Sequence, residues 1–166
     1  MMSMSRTSTA VKMMTGSYKM VRELLARVRK CRYMVDACIK DLEQARRDAY
    51  TLKAVRIGDK VQNNHQSDLA QVVEKIERYE EKLQKNIDEL VGLKLDATAI
   101  IRQESDLCAR AILYRRYILA ENWDMISREM GYSRSQASNI MESAIIRLEM
   151  TKYKQTCDKI GHCHTK

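Results

Sequence analysis

Between residues 18 and 54 the apolar side chains recur in alternating steps of three and four: Val21, Leu24, Val28, Cys31, Val35, Cys38, Leu42, Ala45, Ala49 and Leu52. This heptad seam, sustained over about five repeats, allows little besides a long helix packed lengthwise on another helix. Such a helix spans about 50 Å at a rise of ~1.5 Å per residue. The 166-residue chain contains no proline, so no pyrrolidine ring interrupts it. It also has no phenylalanine and one tryptophan, which favours thin aliphatic packing over a thick globular core.

A second seam follows: Val72, Ile76, Tyr79, Leu83, Asn86, Leu90, Leu93, Ala97 and Ile100. The polar, aperiodic stretch 55–66, with Gly58 and His65, reads as the linker between the two, and Ser67 reads as the N-cap of a helix over 67–103. The pair forms either an antiparallel hairpin or strands of an oligomeric bundle. Asn86 has two readings. It is a buried polar residue that sets register, or Ile87 rotates into the seam and Asn86 stays wet.

The chain carries a net charge of +8, unevenly placed. Residues 1–54 hold twelve Lys/Arg against five Asp/Glu, whereas 68–103 hold six against eight. A basic excess of this kind calls for a nucleic-acid or acidic partner. The five cysteines are odd in number and scattered, and Cys31 and Cys38 lie about 10 Å apart along one helix, too far to bridge. They read as reduced thiols of an intracellular, cytoplasmic protein. The opening 1–17 reads as a flexible terminus without a signal peptide, and no stretch is apolar enough to span a membrane.

The segment 104–150 begins at a second N-cap, Ser105–Asp106. Leu107, Ala111, Tyr114 and Ile118 line one face of the next helix, with Cys108 and Ile112 beside it. Beyond it, Asn122 to Leu148 has the pattern of a helix-turn-helix. Asn122 caps a short helix bearing Trp123, Ile126 and Met130, and Gly131 ends it. Ser133 and Gln136 then form a capping box, and Ala137, Ile140, Met141, Ala144, Ile145 and Leu148 make a buried stripe. Off the stripe lie Arg134, Ser135, Gln136, Ser138, Asn139 and Glu142. In such a motif the N-terminal residues of the second helix meet base edges while the first helix crosses the backbone. Arg suits guanine, Asn and Gln suit adenine, and Ser reaches bases or phosphates. Arg115, Arg116 and Arg128 complete the candidate DNA-binding set. The alternative reading of the same residues is the polar face of an ordinary surface helix.

The run Tyr114–Leu148, above all NWDMISREMGYSRSQASNIMESAIIRL, resembles the helix-turn-helix of sigma-factor region 4 and the phage transcriptional regulators of the RinA and ArpU type that reuse it. The upstream EKIERYEEKLQKNIDELVGLK is similar to the helical segment before the motif in those regulators. The resemblance covers 67–150, leaves 1–54 unaccounted for, and implies a regulator that binds double-stranded DNA as a homo-oligomer, a dimer first of all, with RNA polymerase as a further partner. One departure bears on affinity: residues 104–150 carry six basic against seven acidic side chains. Phosphate neutralisation dominates DNA affinity, so this module needs help from elsewhere. Candidates are the basic tail 151–166 (Lys152, Lys154, Lys159, Lys166), the first helix (Arg22, Arg27, Arg29, Lys30, Arg32, Arg46, Arg47), and dimerisation.

The expected fold class is therefore all-α, with long heptad-patterned helices followed by a C-terminal helix-turn-helix domain. No catalytic motif, cofactor site or metal site is expected. The terminal Cys157, His162, Cys163 and His164 are too crowded in sequence for a tetrahedral site. Two other functions fit the same pattern: a small terminase-like DNA-packaging subunit, and a coiled-coil interaction protein that never touches DNA.

Overall fold

The computed structural model describes residues 20–58 and 65–161, and these are helical throughout apart from short connections, with no strand among them. Two long helices, α1 (Met20–Gly58) and α2 (His65–Ile101), are followed by α3 (Leu107–Leu113). The last turns of α3 widen into a π-helix, Tyr114–Leu119. Then come α4 (Trp123–Met130) and α5 (Arg134–Gly161). The predicted linker 55–66 is shorter than its polarity implied, because α1 runs on to Gly58 and α2 already begins at His65, ahead of Ser67. Without proline, ordinary polar residues continue a helix at little cost. The predicted terminus 1–17 and the residues His162, Cys163 and His164 lie outside the described residues, as does the side chain of Cys157. The tail after Met150 continues α5 as far as Gly161.

The chain divides into two compact units. One comprises the described part of 30–92. Within it α1 and α2 run antiparallel, since Cys38 meets Asn86 while Arg46 pairs with Glu80. Val35, Cys38, Leu42 and Ala45 are buried at the predicted heptad positions of α1. Asn86 occupies the seam. It is 8% exposed, its amide Nδ2 donates to Cys38 Sγ at 3.1 Å, and its backbone carbonyl accepts from Cys31 Sγ at 3.4 Å. Neither cysteine is in a disulfide.

The other unit contains the start of α1, the end of α2 and everything that follows. The module is thus larger than the predicted 104–150, with Val21, Leu25, Val28, Ala97 and Ile101 in its core. Helix α5 packs on α3 and α4, placing Ala137, Met141, Ala144, Ile145 and Leu148 against Ile112, Leu113 and Ile126. Two buried carboxylates tie this core to its surroundings. Glu104 accepts the Asp106 N–H at 3.1 Å and the Arg147 guanidinium at 3.1–3.3 Å. Glu149 accepts the backbone N–H of Arg22 at 2.9 Å, satisfying one of the open donors at the start of α1. Its other oxygen has no partner.

The predicted face of α3 is corrected. Leu107 is 67% exposed and Tyr114 is exposed too, while Ala109, Ile112, Leu113, Tyr117 and Ile118 are buried. A π-turn carries one more residue per turn than the α-period assumes, so the phase shifts beyond Leu113 and two adjacent residues, Tyr117 and Ile118, face inward. The turn ends at Ala120, held at φ 58°, with the N–H groups of Ala120 and Glu121 both donating to the Arg115 carbonyl.

Candidate nucleic-acid interface

The α4–α5 segment is set by local chemistry. The Asn122 side chain caps α4 by accepting the Met125 N–H at 2.8 Å. Gly131, at φ 70°, supplies the left-handed residue that ends it. The capping box is reciprocal: Ser133 Oγ accepts the Gln136 N–H at 3.2 Å, and Gln136 Oε1 accepts the Ser133 N–H at 3.0 Å. Tyr132, half-buried in the turn, has its phenol raised above its ordinary pKa, chiefly by the neighbouring Cys108 thiol at the start of α3.

The nine residues read as DNA-binding fall into three groups. Arg134, Ser135 and Asn139 are exposed at the start of α5, and Arg128 is exposed on α4. Ser143, a turn beyond Asn139, shares their exposed arc and was not singled out by the sequence pattern. Gln136 is exposed but engaged in the capping box.

The second group, Ser138 and Glu142, lies on the flank of α5 that meets the start of α1. Glu142 is held by Arg22 through two parallel bonds, Nη1 to Oε1 at 3.2 Å and Nη2 to Oε2 at 2.7 Å. That bidentate pair holds the Arg22 guanidinium above its ordinary pKa.

The third group serves the module's own architecture. Arg115, half-buried, bridges Glu121 at 2.9 Å and Glu129 at 2.5 Å, clamping the π-turn to α4. Arg116 donates to the Glu121 carbonyl at 2.9 Å and lies over the Trp123 ring, 4.9 Å from its centroid.

A groove of about 370 Å³ opens beside α5, lined among others by Arg22, Arg29, Arg116, Trp123, Ser138 and Glu142. Tyr117 forms part of its wall. Burial raises the phenol's pKa, and Arg29, Arg116 and Arg22 pull it back, which places all three guanidiniums within electrostatic reach of that wall. Arg22, Ala26 and Arg29 stand at i, i+4 and i+7, a one-sided spacing present in the sequence. Nothing local, however, indicates that this face meets α5.

Among the described residues no cluster of three His, Cys, Asp or Glu is placed to hold a metal ion, and no helix is long and apolar enough to cross a membrane. No protein-family model, no curated protein and no solved structure matches the chain.

Proposed function

We propose that this protein is a sequence-specific DNA-binding transcriptional regulator of phage or prophage type. In this reading α4, the Gly131 turn and α5 form a helix-turn-helix, and α5 is its recognition helix. The observation that carries it is the exposed start of α5. There Arg134, Ser135 and Asn139 stand clear of the core on a helix whose entry is fixed by a glycine turn and a reciprocal capping box. Rigid placement matters, because a bidentate Arg or Asn contact to a base is worth about 1–3 kcal/mol of discrimination only when its geometry is held.

Two of the basic residues first assigned to DNA, Arg115 and Arg116, are committed to Glu121, Glu129 and Trp123. Affinity for the duplex therefore comes mainly from basic residues outside 104–150 and from pairing of modules in a homo-oligomer, a dimer in the simplest case. RNA polymerase is the further partner such a regulator engages.

The test is selection of a preferred duplex from a random pool, followed by binding of that duplex at defined salt. Arg134→Ala combined with Asn139→Ala abolishes the preference over a scrambled duplex and leaves the residual non-specific binding. Preference intact in the double variant refutes the assignment of α5. A mass measurement accompanies it: a dimer fits the regulator, whereas a ring of eight or more protomers points to DNA packaging.

A further inference from the structure

The groove between the start of α1 and the flank of α5 has no role in base reading, yet its lining is unusual for a surface of this module. Residues 104–150 carry more acid than base, but the groove gathers three guanidiniums, from Arg22, Arg29 and Arg116, against one carboxylate, Glu142. A hydroxyl, Ser138, sits at its edge on α5, one turn from Arg134 and next to Asn139.

We propose that this groove takes a phosphodiester of the DNA backbone, so that the first helix and the last helix grip the same duplex. The inference rests on the reading of α5 as the recognition helix.

The chemistry favours phosphate. Guanidinium forks match the paired oxygens of a phosphodiester, and three of them facing one cavity suit an anion with several acceptor oxygens. Arg116 is preorganised, its plane fixed over Trp123 and one N–H anchored on the Glu121 carbonyl. Arg29 is exposed on the outer face of α1. Arg22 is occupied in the free protein by Glu142, in a pair whose two side chains are 51% and 44% exposed. The pair is bidentate but open to water, so a phosphate reaching it offers Arg22 the same two-oxygen geometry in exchange for Glu142. Glu142 thereby becomes the groove's resident counter-charge rather than a reader of bases. This also meets the charge deficit of the module, since the missing cations come from a helix more than a hundred residues away in sequence.

The experiment uses the full-length chain, the selected duplex and a scrambled duplex of equal length, with binding followed by fluorescence anisotropy from low to moderate salt. Arg29→Ala is expected to weaken both duplexes alike, by several-fold, and to lower the slope of log affinity against log salt by about 0.9, the value for one phosphate contact. Glu142→Gln removes the competing carboxylate and is expected to strengthen both. The selected-to-scrambled ratio stays unchanged in each, in contrast to the Arg134/Asn139 double variant. Unaltered affinity and slope in Arg29→Ala, or weaker binding in Glu142→Gln, overturns the groove assignment while leaving the recognition helix standing. A wild-type chain that binds neither duplex overturns both.

Discussion

Replacing Asn86 by leucine is expected to stabilise the antiparallel pairing of α1 and α2. Asn86 is buried in the seam, and the bond its side chain makes there runs from Nδ2 to Cys38 Sγ at 3.1 Å, a weak acceptor. Removing that bond costs about 0.5–1 kcal/mol, at the low end for a neutral hydrogen bond. Burying a leucine of similar size in its place contributes about 1.5–3 kcal/mol. The Cys31 contact survives, because it is made to the Asn86 backbone carbonyl. The net gain is thus about 1–2 kcal/mol. With a urea m-value of about 2 kcal/mol/M, the midpoint rises by about 0.5–1 M. Circular dichroism at 222 nm follows the helices, and the single tryptophan, Trp123 in the other compact unit, gives an independent probe. If both probes shift together the chain unfolds as one transition; if only the dichroism shifts, the two units unfold separately. Asn86→Ala serves as the opposing control, since it loses the bond without filling the space and lowers the midpoint. A cycle with Cys38→Ala isolates the coupling between the two side chains. A lower midpoint for Asn86→Leu would refute the reasoning, because it would mean that the buried amide is a net source of stability. If the polar residue instead trades stability for a unique register, the leucine variant also shows a broader mass distribution in solution.

Two further outcomes concern the C-terminal compact unit. Ala120→Gly places the residue best suited to φ 58° at the end of the π-turn, and a gain of about 1 kcal/mol, or roughly 2–4 °C in Tm, is expected by calorimetry; an unchanged or lower Tm contradicts it. Burial raises the Tyr117 phenol above its ordinary value of 10.0, so the folded state prefers the protonated form. The unfolded chain ionises first, and the stabilisation, complete below about pH 10, is lost as pH rises through the folded-state pKa. Denaturation monitored from pH 8 to 11 shows that decline in the wild type, and in Tyr117→Phe the part due to this phenol disappears.

What the sequence made legible is what depends on near neighbours. The Ser133–Gln136 box, the Asn122 cap and the Gly131 turn all form as the residues predict, because each is settled within four positions. The seam of α1 is largely local in origin: Val21, Val28, Cys31, Val35, Cys38, Leu42 and Ala45 are buried as its spacing predicts, but Leu24 and Ala49 are only half-buried and Leu25 takes the inward position beside Leu24. The face of α3 was misjudged from its first turn, where Ala109, Ile112 and Leu113 turn inward and Leu107 does not, and beyond Leu113 a π-turn that no residue type marks breaks the period on which face assignment rests. The compact unit that holds the C-terminal helices also takes in the start of α1, which the pattern of 104–150 does not indicate. Its boundary depends on Arg22 finding Glu142 and Glu149, and pairings at that separation leave no periodic trace. The candidate site divides the same way. Arg134, Ser135 and Asn139 are exposed as a helical wheel predicts, while the duties of Arg115, Arg116 and Glu142 are set by tertiary partners.

The closure of α1 onto α5 also bears on how the protein comes to be made. Arg22 bonds to residues 120 and 127 positions downstream, so α1 cannot complete its contacts during synthesis until α5 follows. Meanwhile α3, the π-turn, α4 and α5 meet one another over short separations and can assemble quickly once synthesised. During synthesis Val21, Leu25 and Val28 present an unmatched apolar stripe with arginines on either side, a stretch that a chaperone would bind. The contact of Arg22 with α5 is thus among the last that the described helices can make during synthesis, and a truncated chain lacking α5 would leave that stripe open.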